Sequence, residues 1–393
     1  MFKSIVMNIL IAPMAAAAPT AGPFSRAKAI ALEAKKRGHN IAFCAAEEMN
    51  YKAVDGIKNY YCPIPKLFGK VPFSIAKRIL PIIQKLKLQE KKEVKSFEQV
   101  LFISGAITGN FFAKDVSWIR KAIQNFKPDV VFAEFRPAAI VAAKLENIKV
   151  VTDYSFPTQK EYASSPEYSK NVKAFLKNNN LPKIESVLDI FNWADEKIVV
   201  SSPNLEPLKQ ENIHFVGPLF SFDKTNVEKG MNNIIFYMGS GTISVIKTIE
   251  LAEKAFKDTE YQVYIASSIK NKKSKYENIH IQTRFDFSKL MPNCVAFINH
   301  GGQNSIMTGL VYAVPQIIFP GKVFERQYNA SSIEKIKAGF YFNEDDFNVG
   351  KIISSINKFE SDSSFKSNSE KVGNDLLKLG GVSKLVDILE NYS

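Results

Sequence analysis

Short apolar runs recur along the whole chain, each followed by a stretch with helical spacing, and this alternation is what most narrows the folds open to it. In the first half the runs are residues 9–13, 40–44, 130–133, 149–152 and 197–201. In the second half they are residues 233–238, 261–266, 279–283, 296–299, 316–319 and 339–342. They are apolar nearly throughout rather than at every second position, which is the pattern of strands in a parallel sheet covered on both faces. Helical patterns fill the intervals, for example at 24–36 and 323–337, and Gly38 follows the first as a stop signal. The expected fold class is therefore α/β: two Rossmann-like, doubly wound domains facing a cleft. Ligands in such sheets bind beyond the carboxyl ends of the strands, so the cleft is the expected site.

At 393 residues the chain is longer than a typical single domain. Gly217-Pro218 punctuates it, and the polar stretch 221–232 follows. The expected division is a first, acceptor-side domain at 1–215, a linker at 216–232, a second, donor-binding domain at 233–375 and a C-terminal helix at 376–393. The start needs a choice, because the apolar run 5–14 and the alanines after it imitate a secretory signal. A buried strand at 8–12 followed by a loop is the reading that suits an α/β domain. No apolar run reaches the ~20 residues of a membrane span.

The formal net charge of +13 favours anionic partners. Nucleic acid is not expected, since no helix-turn-helix, zinc or aromatic-basic module is present. Cys44, Cys62 and Cys294 are widely spaced and odd in number, which argues against a disulfide framework or zinc site and for a reducing, cytoplasmic compartment. Part of the basic excess lies at 66–95. There Ile75, Ile79, Ile82 and Leu86 recur at helical spacing among Lys77, Arg78, Lys85 and Lys87, although Pro81 interrupts the pattern. Such a stretch suits either a surface helix packed on the core or peripheral contact with an anionic membrane at its inner face.

The sharpest motif is Ala296-Phe297-Ile298-Asn299-His300-Gly301-Gly302-Gln303-Asn304-Ser305. A buried strand runs into two glycines and then a helix. Glycines let the backbone approach a ligand closely, and the helix start offers N–H groups and the positive end of the dipole. His300 at the strand's end, with Asn304 and Ser305 on the first turn, adds side-chain donors for an oxygen of a diphosphate.

The stretch from His300 to Ala330, HGGQNSIMTGLVYAVPQIIFPGKVFERQYNA, resembles the donor-binding segment of the GT-B glycosyltransferases that take UDP-sugars, the group of plant and antibiotic glycosyltransferases and of the enzyme that completes lipid II. The order is theirs: His-Gly-Gly-x-x-Ser, a Gly-x-Pro in which Ala313 here replaces Gly, a further Pro, an acidic residue and Asn-Ala. Weaker resemblance extends over Gly38-His39, Lys127-Pro128-Asp129, Ala194-Asp195 and Val216-Gly217-Pro218.

The resemblance implies an inverting, metal-independent transfer of a hexose-type sugar from a UDP- or dTDP-sugar, with no tightly bound cofactor. The acceptor is a hydroxyl or acidic group on a small molecule or lipid. It implies that His300 and the amides near Gly301, Gly302 and Ser305 hold the diphosphate, with the loop Gly239-Ser240-Gly241-Thr242 beside them. Arg284 and Phe285 fall where the family binds the base. Glu325 falls where an acidic residue receives hydroxyls of the donor sugar, with Arg326 where Gln is usual and Gln327 next. Thr308 stands where the family has a Glu on the ribose. No Asp-x-Asp motif stands out for a metal.

The usual base, His or Asp in the loop after the first strand, is missing: that loop, 15–26, has no His, Asp or Glu, and alignment on Gly38-His39 puts Pro23 at the position. His39 is expected to be structural. Glu134 and Asp153, each just past a predicted strand, are the candidates for a base facing the cleft; each is also read as a cap or as a partner for Arg136. A nucleotide-sugar-binding protein without catalysis and a nucleotide-sugar epimerase of the same fold are the competing expectations.

Overall fold

The computed structural model describes residues 6–15, 22–47, 51–76, 78, 93–210, 212–220, 222, 232–239, 241–267, 269 and 272–392. The first half runs through β1 (Asn8–Pro13), α1 (Gly22–Lys36), β2 (Asn40–Phe43), β3 (Lys58–Asn59), β4 (Glu93–Val94), α2 (Phe97–Ser104), α3 (Phe111–Phe126), β5 (Val130–Glu134), α4 (Pro137–Leu145), β6 (Lys149–Asp153), α5 (Lys170–Asn178), β7 (Glu196–Val199) and β8 (Ile213–Phe215). The second half runs through β9 (Asn233–Tyr237), α6 (Val245–Phe256), β10 (Gln262–Ala266), β11 (Ile279–Gln282), α7 (Phe287–Leu290), β12 (Cys294–Asn299), α8 (Gln303–Val311), β13 (Gln316–Ile318), β14 (Lys322–Val323), α9 (Phe324–Lys335), β15 (Gly339–Tyr341), α10 (Val349–Ser361), α11 (Ser364–Lys378) and α12 (Gly381–Glu390).

Two sheets result. The first is seven-stranded in the order β3-β2-β1-β5-β6-β7-β8, and the second six-stranded in the order β11-β10-β9-β12-β13-β15. Every pairing in both is parallel. Every apolar run picked out in the sequence is a strand, with ends displaced by at most two residues. The pleat explains the continuous hydrophobicity. Ile9 and Ile11 pack with Ala27, Ile30 and Ala34 of α1, whereas Leu10 and Ala12 pack on the other face with Phe112, Val116 and Ile119 of α3. Ile9, Leu10 and Ile11 are wholly buried, each a gain of ~1.5–3 kcal/mol over exposure.

The strand orders place the functional region. In the first sheet the chain moves outward from β1 on one side through β2 and returns to its other side with β5; in the second it does so around β9 and β12. The crevice at such a reversal is open because the connections leave in opposite directions, and that is where ligands sit. The carboxyl ends that flank the two crevices are Pro13 and Glu134 in the first sheet, and Tyr237 and Asn299 in the second.

Several contacts hold the halves together. α12 returns to pack on α1. Arg37 donates to Asp387 at 2.6 Å and to Glu390 at 3.1 Å. His39 Nδ1 accepts the Met7 N–H at 3.3 Å, and its Nε2 lies 2.8 Å from Glu390, so His39 is structural as expected. β4 pairs in parallel with β14, from the other half of the chain. Of the basic stretch at 66–95, Ile79, Ile82 and Leu86 lie outside the described residues, as does most of 221–232. No helix among the described residues is long and apolar enough to cross a membrane.

Candidate functional site

The second-sheet crevice is built around His300. β12 delivers it at the strand's end, 9% exposed, with Nδ1 3.2 Å from the Tyr237 carbonyl oxygen at the end of β9. The two glycines after it are needed for different reasons. Gly301 has φ +79°, and a Cβ there would lie 2.9 Å from the Arg326 carbonyl oxygen. Gly302 has the ordinary φ of −66°, but a Cβ on it would lie 2.9 Å from His300 Nε2. Gly302 is also the cap of α8, so no side chain there takes the N–H groups of the first turn. Asn299 Oδ1 accepts the Gly301 N–H at 2.8 Å, and Asn329 Nδ2 donates to the Gly301 carbonyl at 2.9 Å. These two bonds lock the turn from the strand below and from α9 beside it.

The expected donor residues divide by exposure. Asn304, Arg284, Glu325 and Gln327 are exposed, Gly302 and Thr308 half-buried, and Gly301 and Ser305 buried. Thr308 donates its hydroxyl to the Asn304 carbonyl at 2.7 Å, so toward a ligand it offers only acceptor capacity. Phe285 is half-buried and meets Tyr264 edge-on at 5.5 Å, which makes it a packing residue as much as a platform. Gly239, at φ +47°, and Gly241 lie against the His300 side chain; Ser240 lies outside the described residues. Two further residues of the expected set lie deeper. Arg326 is 9% exposed and packs against Gly301, and burial lowers the pKa of its guanidinium. Successive helical positions face different ways, which leaves Glu325 and Gln327 outward and Arg326 inward. Thr242 is also buried, with its hydroxyl turned toward Gly321.

The first-sheet crevice is made of side chains. Glu134 at the end of β5 and Asp153 at the end of β6 converge on Arg26 of α1. Arg26 Nε donates to Glu134 Oε1 at 2.9 Å, Nη2 donates to the same oxygen, and Nε stands 3.7 Å from Asp153 Oδ2. Neither carboxyl faces the cleft as expected: the side chains of Glu134 and Asp153 are 0% and 1% exposed, while that of Arg26 is 15% exposed. Nor does Arg136 pair with either. It forms a buried ion pair with Asp115 and donates to the Cys44 carbonyl at 2.6 Å. Burial, with the neighbouring Glu134 charge, holds the Asp153 carboxyl well above the usual carboxylate range, although Arg26 pulls the other way. Burial alone would lower the Arg26 pKa, but Glu134 and Asp153 outweigh it, and Glu325 adds its charge from the second half.

Glu206, Gln303 and Arg26 were not picked out from the sequence. Glu206 accepts the Phe156 N–H at 2.6 Å, and burial pushes its carboxyl up to about 7. Gln303, the first residue of α8, donates to the Val200 carbonyl at 3.1 Å and so joins the phosphate-side helix to the first half. Tyr328 of α9 does the same through the Leu205 carbonyl at 3.0 Å and a 5.0 Å stack on Phe156. Only Arg26 had a legible signal, as the sole charged residue of 15–26. Among the described residues no group of three His, Cys, Asp or Glu side chains is arranged to hold a metal ion.

Two parallel-sheet domains with crevices turned toward each other define the GT-B class of fold. Residues 251–391 match the family model of the C-terminal domain of erythromycin biosynthesis protein CIII-like proteins. The chain is 24% identical over 295 residues to the NDP-glycosyltransferase YjiC of Bacillus licheniformis, covering 68% of this chain and 73% of that one. It is 22% identical over 408 residues to the uncharacterized UDP-glucosyltransferase YojK of Bacillus subtilis, with 95% of each covered. The glycotransferase of kitacinnamycin superposes with a TM-score of 0.75 at 15% identity, over 98% of this chain and 99% of that one. This chain has the GT-B fold and is similar to antibiotic and macrolide glycosyltransferases and to NDP-sugar transferases.

Proposed function

We propose that this protein transfers a hexose-type sugar from a UDP- or dTDP-sugar to a hydroxyl or acidic group of a small molecule or lipid, with inversion at the anomeric carbon. The observation that carries this reading is the His300-Gly301-Gly302 turn at the crevice of the second sheet, where a strand end, a histidine and an uncapped helix start converge. In this reading the acceptor oxygen attacks the anomeric carbon from the first-domain side. The bond to the diphosphate breaks on the opposite side and its electron pair leaves with the phosphate. His300 and the first-turn amides of α8 meet that developing charge, which is where preorganised donors lower a barrier most. Glu325 receives hydroxyls of the sugar through charge-assisted hydrogen bonds. Arg284 and Phe285 flank the base, Thr308 the ribose, and the Glu134–Asp153 pair takes the acceptor's proton. The net charge of +13 suits an anionic donor. For a lipid acceptor it also suits the anionic inner face of a membrane, and a cytoplasmic location belongs to that reading.

The test is calorimetric titration with UDP, dTDP, UMP and UDP-glucose, with and without magnesium, beside His300→Ala. Diphosphates are expected to bind without magnesium, to bind better than UMP, and to weaken in the variant. Turnover in His300→Ala should fall by ~10²–10³, the cost of losing one such donor. No binding of any nucleotide would remove the reading. A second reading, binding of a nucleotide sugar without transfer, is favoured by the burial of both candidate bases; it predicts binding with no sugar-dependent release of nucleotide.

A further inference from the structure

Three oxygens in the first-sheet crevice are buried without a hydrogen-bond donor: Glu134 Oε2 and both Asp153 carboxyl oxygens. Each unmet buried acceptor is costly, and two adjacent carboxylates repel. A single proton shared between the carboxyls satisfies two of the three oxygens and removes one of the two charges. The third oxygen is left to accept from something else. Arg26 supplies the balancing charge, and it is the member of the cluster that reaches the cleft.

We propose that Arg26 is a positioning residue for proton transfer: its guanidinium, clamped on Glu134 and resting loosely against Asp153, holds the two carboxyls as one unit carrying one proton and one negative charge. The proposal rests on the transferase reading above and assigns the base that the loop after β1 lacks. The charged and titratable groups that face the unit are Arg26 from α1, each carboxyl from its neighbouring strand, and Glu325 from α9 across the cleft. The two contacts of Arg26 are unequal, and this gives access. The bonds to Glu134 hold, while the 3.7 Å contact to Asp153 is the one an acceptor hydroxyl displaces. That hydroxyl gives its proton to the unit as its oxygen bonds to the anomeric carbon. The carbon–oxygen bond to the diphosphate breaks with its electron pair on the leaving phosphate, and the unit returns the extra proton to solvent after product release. Arg26 packs over the Phe135 ring at 5.5 Å, which fixes its stem while its head bridges the carboxyls.

Removing the positive charge makes the unit hold protons more tightly, so the acidic limb of the pH–rate profile must move to higher pH. The experiment measures nucleotide release from UDP-glucose and dTDP-glucose, with water as acceptor, across pH for wild type, Arg26→Gln and Arg26→Lys, with UDP and dTDP binding measured alongside. Arg26→Gln should bind nucleotide within ~2-fold of wild type, lose ~10²-fold or more in kcat, and shift the acidic limb upward by about one pH unit or more. Arg26→Lys keeps the charge but not the fork, and should return the limb toward wild type with partial recovery of kcat. Unchanged kcat in Arg26→Gln, or a fall in kcat with an unmoved limb, overturns the proposal while leaving the transferase reading intact. Failure of the wild type to bind either nucleotide instead removes the transferase reading, and the catalytic part of this proposal with it. Should Arg26→Gln not fold, infrared spectroscopy of the wild type at neutral pH decides. A protonated-carboxyl band that Asp153→Asn removes supports the shared proton, and the lack of such a band overturns it.

Discussion

At the end of the second sheet, two glycines bring backbone N–H groups and one histidine to the crevice; at the end of the first, Arg26, Glu134 and Asp153 bring three side chains from three separate elements to the equivalent place. The first construction takes its donors from the backbone and one histidine, with the buried Arg326 packed behind the turn. The turn is kept in place by Asn299 and Asn329. The second buries a cation and two carboxyls, each tolerable only because of the others. One crevice is thus sensitive to added atoms and the other to removed charges. That is what binding a fixed diphosphate and moving a proton each require: an invariant cradle in one case, a balanced and adjustable charge in the other.

The largest expected effect tests the charge side of this contrast. Glu134→Ala leaves the Arg26 guanidinium without its main partner and should cost ~3–5 kcal/mol of stability in urea unfolding. Asn304→Ala, exposed on the first turn of α8, should cost under ~0.5 kcal/mol. Similar losses in the two variants would break the contrast.

Next comes pH. Glu206 is buried where the first half meets α8 and α9, and burial pushes its carboxyl up to about 7, against about 4.3 for a free side chain. A raised carboxyl pKa means that the folded state holds the proton more tightly. The stability it contributes is complete below the unfolded value and is lost as pH rises through the folded one. Stability should therefore fall by ~3 kcal/mol between about pH 4.5 and 7 from this residue, and Asp153 acts in the same direction. Glu206→Gln should flatten its share of that slope in denaturation at pH 5 and pH 8. An unchanged slope would mean that the carboxyl is charged at the interface.

The same contrast explains what the sequence disclosed. Both sheets, the doubly wound architecture and the His300 turn were legible because each is written locally: apolar runs for buried strands, glycines where the backbone must come close. Short strands were not, since β3, β4 and β14 have two residues each and no period to detect. Glu134 and Asp153 were found through their place after predicted strands, but their partner was misassigned. Arg136 is two residues from Glu134 in sequence, whereas Arg26 is 108 away and arrives only through the pairing of β1 with β5. Arg326 makes the complementary point: a motif position fixes the residue's order in the chain, while the helix's rotation decides which way it faces.

The cradle side is tested by one added methyl group. Gly302 has a φ and ψ that alanine adopts without strain, so Gly302→Ala acts only through its Cβ, 2.9 Å from His300 Nε2. Either the imidazole shifts or the turn does, and affinity for UDP and dTDP in calorimetry should fall by roughly tenfold, about 1.4 kcal/mol. Unchanged affinity would mean that the His300 ring is not held against the bound diphosphate.

The smallest effect concerns Thr308, which follows the cradle by one turn and a half of α8. Its hydroxyl proton is committed to the Asn304 carbonyl, so it can only accept a ribose hydroxyl, and weakly. A carboxylate at that position accepts two hydroxyls at once, and UDP presents two where dTDP presents one. Thr308→Glu should therefore raise the preference for UDP over dTDP by about threefold to tenfold. Glutamate is the better helix former of the two, which keeps folding from masking the result. The ratio of the two dissociation constants is the quantity to read, because general weakening from the larger side chain cancels in it. An unaltered ratio would place the ribose away from Thr308. The backbone cradle would stand, but the nucleoside would then run in a different direction from α8 than the motif implies.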